Sequence, residues 1–348
     1  MIWKSDLGIV FIAIYVDDCY CVGTGRALDK FEELMQTQTE NVEPFSITTT
    51  KGTSDYLGCE VMFSEDKKKA WLGQPHVIKN IKLKFEELVK DHQHYKTPGT
   101  PGIGLRKPMT NDPKVSDGEH KNYRSGVGML LYLMKHSRPD IANAVRELTK
   151  VLDKPTPAAL KELKRVMKFV MDTENYGLKI EPTNLEEEKW TMVGYSDSDW
   201  AGDKDTRLSV SGFIIFLLGV PISFKSKQQR SVALSSSEAE YVALSEAAKE
   251  IKFVYQILIS MGLKVKTPIV VRVDNVGAIF MAENMSTGQR TRHVDIRYKF
   301  VREFVENEFL KIIFVKTADN YSDGMTKNVS ADTYDKHSAH LVHIKSKI

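Results

Sequence analysis

Cysteine is scarce. Cys19, Cys21 and Cys59 are the three in 348 residues, an odd number with no zinc-finger or zinc-ribbon spacing. A disulfide framework and a structural zinc site are thereby excluded, and a reducing compartment is expected. Long hydrophobic runs are missing too: nothing approaches the ~20 apolar residues of a membrane span. The opening "MIWKSDLGIVFIAIYVDD" has the apolar length of a signal peptide, but two aspartates follow it directly and no small-x-small cleavage site appears. Its β-branched residues fit a buried strand better. Neither charge sign dominates, with 49 Lys and Arg against 46 Asp and Glu and a net charge of +3. Bulk charge therefore neither demands nor excludes a nucleic-acid partner. These absences point to an intracellular protein, in a cytoplasmic particle or the nucleus, with no signal peptide, transmembrane segment or membrane partner. Oligomeric state is not written in the sequence. At this length, with 42% hydrophobic residues, two or three domains with sizeable cores are expected.

What is present falls into blocks. Residues 7–23 read as strand, tight turn, strand, with Asp17 and Asp18 at the tip of the hairpin. A helical pattern covers 27–38, and "DYLGCEVMFSED" with "AWLGQ" forms a second strand pair. "PHVIKNIKLKFEELVKDH" is a helix with Pro75 in its first turn. The Pro- and Gly-rich "YKTPGTPGIGLRKP" is a loop or linker. Three helices follow, broken at Pro139 and Pro155, the first with Leu130, Leu131, Leu133 and Met134 on its apolar face. "EPTNLEEEK" reads as a solvated acidic connector. Beyond it come three strands, a long helix ended at Gly262, a strand, two helices, a strand and a short helix. That order describes a mixed sheet with helices packed against it.

Acidic residues in this last block stand where a sheet's open end gathers side chains. Asp197 lies where the first strand finishes, and Asp274 ends "IVVRVD". Neighbouring strands ending in aspartate can hold a hard cation such as Mg2+, which takes a few carboxylates and completes its shell with water and phosphate. Two such ions ~3.5–4 Å apart orient an attacking water and stabilise the leaving oxygen of a phosphodiester. On the long helix Glu240 shares a stripe with Leu244, Ala247 and Ile251, the face that should meet the sheet. Glu238 shares its stripe with Val242, Ser245, Lys249 and Lys252, and Ser235-x-x-Glu238 fits a capping box. Glu240 is the better ligand, because a carboxylate on a buried stripe is costly without a cation. Asp323, in the short helix after the last strand, completes the set. Asp199 rivals Asp197, since i and i+2 on a strand share a face, whereas Asp203 and Asp205 read as a turn. Each acid alone is more ordinarily a cap, a turn residue or a solvated charge. The ordered set carries the weight.

The phrases "GYSDSDWAGD", "TRLSVSGF", "VALSSSEAEYVALSEAAKE", "VDN", "RTRHVDIRYKFVRE" and "YSDGMTK" make 190–329 resemble the RNase H domain of copia-type LTR retrotransposon Pol polyproteins. "IYVDD" resembles the palm hairpin of the reverse transcriptase in the same polyprotein. "YRSGVGMLLYL" and "SRPDIANAVREL" resemble its connecting region, so the likeness covers nearly the whole chain. It implies a combined α/β and α+β architecture. Residues 1–95 would be an incomplete reverse-transcriptase palm hairpin with thumb-like helices, and 96–185 a linker and helical connection. Residues 190–329 would be an RNase H-like mixed five-stranded sheet flanked by helices, and 330–348 a tail. Carried over, the metal-binding and catalytic carboxylates fall on Asp197, Glu240, Asp274 and Asp323. The implied reaction is hydrolysis of RNA in an RNA–DNA hybrid with two Mg2+ ions (Mn2+ also serving), water attacking to leave 3′-OH and 5′-phosphate ends.

Departures matter as much. The family's last motif usually has Leu-Ala before its Asp and an aliphatic residue after; here Tyr321, Ser322 and Gly324 stand there. Glycine in a helix costs about 1 kcal/mol relative to alanine, which predicts a loosely held Asp323. Cellular RNases H carry a histidine in the loop before the last Asp; "VKTADNYS" has none, and His293 reads as a cap or packing residue. Lys225, Lys227 and Arg230 in "KSKQQR", with Arg290 and Arg292 in "TGQRTRH", are candidate phosphate contacts or else solubilising turns. Recognition of a hybrid is expected through shape and the 2′-OH. For the residual polymerase motif Asp17-Asp18, two metal ions require carboxylates from separated positions. Sixteen preceding residues are too few to supply the partner aspartate, the fingers or the nucleotide pocket. Polymerase activity is therefore expected only with the fingers and palm segment of the parent enzyme as a partner. The rival to a nuclease is a catalytically silent nucleic-acid-binding or scaffold remnant.

Overall fold

The computed structural model describes residues 1–38, 43–52, 55–109, 111–284 and 292–345, and of 292–296 and 298 the backbone only. Strands β1 (Ile2–Ser5), β2 (Gly8–Tyr15) and β3 (Asp18–Gly23) form an antiparallel sheet in that order. β2 and β3 are the expected hairpin: Tyr15 pairs with Asp18, leaving Val16 and Asp17 as a two-residue turn. Val16 has φ +53°, the left-handed conformation such hairpin turns demand. Helix α1 (Gly25–Gln36) packs on one face, where Val10, Ile12 and Ala27 are buried with Trp3 and Phe31 beside them.

Strands β4 (Asp55–Tyr56), β5 (Cys59–Phe63) and β6 (Ala70–Gly73) lead into α2 (Pro75–Lys84) and α3 (Glu86–Val89). The single helix expected there breaks at Phe85, whose ring is buried. Helices α4 (Asp117–His136), α5 (Ala142–Thr149) and α6 (Pro157–Asp172) follow, with a 3-10 turn at Pro139–Ile141. Proline lacks the N–H that a helix interior needs, so the breaks fall at Pro139 and Pro155 as expected. Ser116 and Glu119 form a full capping box at the start of α4. Leu130 and Leu133 are fully buried against Val145, Leu148, Leu163 and Met167, while Leu131 and Met134 lie at the edge of that core.

After β7 (Tyr176–Ile180) the chain enters a five-stranded mixed sheet made of β8 (Met192–Asp199), β9 (Val210–Leu217), β10 (Val220–Gln228), β11 (Ile269–Val273) and β12 (Leu310–Phe314). Its order is β10-β9-β8-β11-β12, antiparallel through β8 and parallel from β8 to β12. The fold is RNase H-like. Helix α7 (Ser236–Ser260) lies across the sheet, burying Leu244, Ala247 and Ile251 against Phe213, Ile215 and Val271. α8 (Val276–Glu283) and α9 (Arg292–Glu306) follow β11, and α10 (Asp323–Thr326) follows β12.

Residues 330–345, expected as a tail, carry α11 (Ala331–Ser338) and β13 (Val342–Ile344). β13 pairs with β7, and β7 with β6, giving a second five-stranded sheet, β13-β7-β6-β5-β4. Tyr334 of α11 donates a 2.7 Å hydrogen bond to Asp140, which forms a fully buried pair with Arg138. That anchor outweighs the polarity of α11, which hides its packing role from a reading of apolar periodicity. The helical region also meets segments flanking the RNase H-like sheet, through Asn143 to Asn328 at 2.9 Å after α10 and Lys150 to Asp203 at 3.1 Å between β8 and β9. Among the described residues no helix is long and apolar enough to cross a membrane.

Candidate metal centre

β8 and β11 run parallel and adjacent, with Val271 opposite Gly194, so the acids at their ends converge. Asp197 lies on β8 opposite Gly212 of β9, and the missing side chain of Gly212 has a use. A Cβ there would lie 2.7 Å from Met325 Cβ and from Thr326 Cγ2, so only glycine lets α10 sit this close to the sheet. Asp274 follows the last residue of β11. Its neighbour Asn275 caps α8, accepting from the Ala278 N–H at 2.9 Å, and receives the Ser237 hydroxyl from α7 at 3.1 Å. The end of β11 and the start of α7 are thereby tied together.

Glu240 sits one turn into α7 on the buried stripe. Its Oε1 accepts from the Ser198 N–H at 3.1 Å and the Ser198 hydroxyl at 2.9 Å. Oε2 is buried and has no hydrogen-bond partner among the described residues. One ligand oxygen from each of Asp197, Glu240 and Asp274 lies within 4.8 Å of the others, and among the described residues no further such group of acidic, histidine or cysteine side chains occurs. Burial, then the nearby charges of Asp197 and Asp274, pushes Glu240 up to about 9. Burial and the Asp323 carboxylate push Asp197 up to about 7, against the Thr326 hydroxyl, which donates to Asp197 Oδ2. Crowded, dehydrated carboxylates that resist ionisation, with one oxygen left unpartnered, are what a divalent cation relieves. The donor set is all oxygen, as Mg2+ or Mn2+ requires.

Asp323 opens α10 and is buried, but it is not in that group of three. Its Oδ1 pairs with Lys327 Nζ at 2.5 Å, and its N–H donates to the Asn320 carbonyl at 3.0 Å. Gly324 therefore does not leave it loose: Lys327, one turn on, fixes the carboxylate. Burial lowers the Lys327 pKa, yet Asp323, Asp197 and Asp199 together hold it above the ordinary lysine value. Sequence reasoning missed Lys327, Thr326 and Ser198. Lys327 had a legible signal, an acid and a base four apart.

The other candidates separate. Asp199 is half-buried and outside the group, and burial raises its pKa. Asp203 Oδ1 accepts from the Asp205 and Thr206 N–H groups at 3.1 Å, the turn expected there. Glu238 caps α7 but reaches the Leu234 N–H at 2.8 Å, one residue beyond a strict capping box. Asp17 and Asp18 are exposed at the hairpin tip, with no third acid grouped with them among the described residues. Lys225, Lys227 and Arg230 line one groove of about 310 Å³ with Lys249, Arg297 and Glu246. Arg290 lies outside the described residues, as do the side chains of Arg292 and His293.

No protein-family model matches the chain. It is similar to the retrovirus-related Pol polyprotein from transposon RE1 of Arabidopsis thaliana, 30% identical over 333 residues, which covers 96% of this chain and 22% of that protein. It is equally similar to the corresponding polyprotein from transposon TNT 1-94 of Nicotiana tabacum, 30% identical over 333 residues and covering 95% and 24%. The chain thus spans less than a quarter of the length of these relatives. Among solved structures, LC11-RNase H1 in complex with an RNA/DNA hybrid is 14% identical, covers 42% of this chain and 98% of that one, and has a TM-score of 0.31.

Proposed function

The chain belongs to the retrovirus-related Pol polyproteins of copia-type transposons, and from that premise we propose that it is a metal-dependent endonuclease cleaving the RNA strand of RNA–DNA hybrids. The observations that support this most are the convergence of Asp197, Glu240 and Asp274 and a buried Glu240 Oε2 with no hydrogen-bond partner among the described residues. In this reading 190–329 is the hydrolytic domain, 96–185 the connection, and 1–95 part of a reverse transcriptase with Asp17 and Asp18 as its residual motif.

Asp197, Glu240 and Asp274 would hold Mg2+ or Mn2+, with Asp323 beside them. A divalent ion so held supplies an acidified water and charge against the phosphate in flight. The chain's own groups do the positioning. Ser198 fixes Glu240 with two donors, and Thr326 fixes Asp197. Lys225, Lys227 and Arg230 in the groove beside α7 would take backbone phosphates, which give grip without sequence information. Discrimination of RNA from DNA would rest on duplex shape and the 2′-OH. Water attacks the phosphate in line, leaving 3′-OH and 5′-phosphate ends. The purified chain should cut an RNA–DNA hybrid with Mg2+ and not with EDTA, and Asp274→Asn should abolish cutting. Hybrid binding without metal-dependent cleavage would refute the enzyme and leave a silent nucleic-acid-binding protein. The polymerase motif is proposed to be inactive in this chain, and a separately supplied fingers and palm segment tests that by complementation.

A further inference from the structure

Two ions at such a site need carboxylate oxygens on two sides, but among the described residues only Asp197, Glu240 and Asp274 converge. The fourth carboxylate, Asp323, is already engaged by a cation of the chain itself. Lys327 Nζ lies 2.5 Å from Asp323 Oδ1, with the lysine side chain 45% exposed and the aspartate side chain 7% exposed. The ammonium thus reaches in from the solvent side and caps a buried acid.

This pair is fixed in place. Both residues belong to one turn, i and i+4, and that turn is clamped on several sides. Asp323 N–H donates to the Asn320 carbonyl, and the Asn320 side chain donates to the Ser196 carbonyl of β8 at 3.0 Å. Thr326 donates to Asp197, and its hydroxyl oxygen lies 2.9 Å from the Asp323 carbonyl. Gly212 admits Met325 and Thr326 against β9. The Lys327–Asp323 contact is an ion pair at a buried carboxylate, whose Oδ1 has no other partner among the described residues. A second divalent ion can use Asp323 only by displacing it, and would then face the freed ammonium as a like charge.

We propose that Lys327 is the resident cation of the Asp323 side. The site then takes one divalent ion tightly, at Asp197, Glu240 and Asp274, and Lys327 positions Asp323 while holding the place a second ion would need. This rests on the hydrolase reading of the three carboxylates, and it concerns the number of ions rather than the reaction.

The test is Mn2+ binding to the full chain without substrate, at pH 7.5, with free Mn2+ read by electron paramagnetic resonance. Wild type should bind one ion tightly and any second ion at least ~10-fold more weakly, the scale of losing one hydrogen bond to a charged group. Lys327→Met should bring the second ion to within about threefold of the first, and Lys327→Arg, which keeps the charge, should behave as wild type. A merely structural lysine would leave the stoichiometry unmoved. Two ions of equal affinity in wild type, or a Lys327→Met protein that still binds one, overturns the role of Lys327 while leaving the hydrolase site intact. A first ion indifferent to Asp274→Asn overturns both.

Discussion

Replacing Glu240 with glutamine should stabilise the metal-free protein at neutral and alkaline pH and remove most of its stabilisation by Mg2+. In the folded chain Glu240 titrates near 9 instead of its ordinary 4.5, because burial and then Asp197 and Asp274 disfavour its charge. The folded state therefore holds a proton that the unfolded state has released. A raised carboxylate contributes stability that is fully present below pH 4.5 and is lost progressively as pH climbs toward 9. At pH 7.5 three pH units of that window have been crossed, an upper limit of about 4 kcal/mol at ~1.36 kcal/mol each. Glutamine keeps a carbonyl for both Ser198 donors and puts an amide where Oε2 had no partner, without the charge. The assay is urea unfolding in EDTA at pH 5, 7.5 and 9, repeated with Mg2+. Wild-type stability should fall across that range, the Glu240→Gln curve should be flatter, and Mg2+ should raise wild type far more than the variant. Wild-type stability that is flat or rising from pH 5 to 9 in EDTA would refute the reasoning, as would equal Mg2+ stabilisation of both proteins.

Thr326→Val removes the hydroxyl that orients Asp197, a bond of the ~1.5–3 kcal/mol class for charged acceptors. Hybrid cleavage should fall about tenfold or more, with a higher Mg2+ requirement in a metal titration. Gly212→Ala puts a Cβ 2.7 Å from Met325 Cβ and Thr326 Cγ2, so α10 must shift. A loss of roughly 1–3 kcal/mol in thermal unfolding is expected from such overpacking. Replacing Lys225 and Arg230 together by alanine should weaken hybrid binding and flatten its salt dependence by up to about two phosphate contacts. Mn2+ binding measured on the same variant should not change.

Much of this molecule is legible in its sequence. Strand-end acids and the stripe of Glu240 could be read because a sheet alternates with period two and a helix with 3.6, and both patterns run long in β8 and α7. The hairpin around Asp17 was legible for the same reason. Other features left no such trace. β13 is three residues, Val342–Ile344, and β7 is five, too short for alternation to stand out from a loop. Lys327 reads in the sequence only as a base four residues after Asp323, with nothing to place the pair at the site. What makes it part of the site is the descent of α10 onto Gly212, a contact between segments more than a hundred residues apart.

The placement of β13 has a consequence for how the molecule comes into being. Trp71 of β6 donates its indole N–H to the His343 carbonyl at 3.1 Å, a bond between residues 272 positions apart. Strands β4, β5 and β6 leave the ribosome long before residues 342–344, and the sheet they enter is completed only when those residues have been made. Contacts of such long range slow folding, because loop closure precedes any reward. Over that interval the RNase H-like sheet, whose strands all lie between residues 192 and 314, has everything it needs to form first. The nascent chain would then carry a finished RNase H-like fold alongside an open sheet edge, a window in which chaperones or neighbouring copies compete for β7.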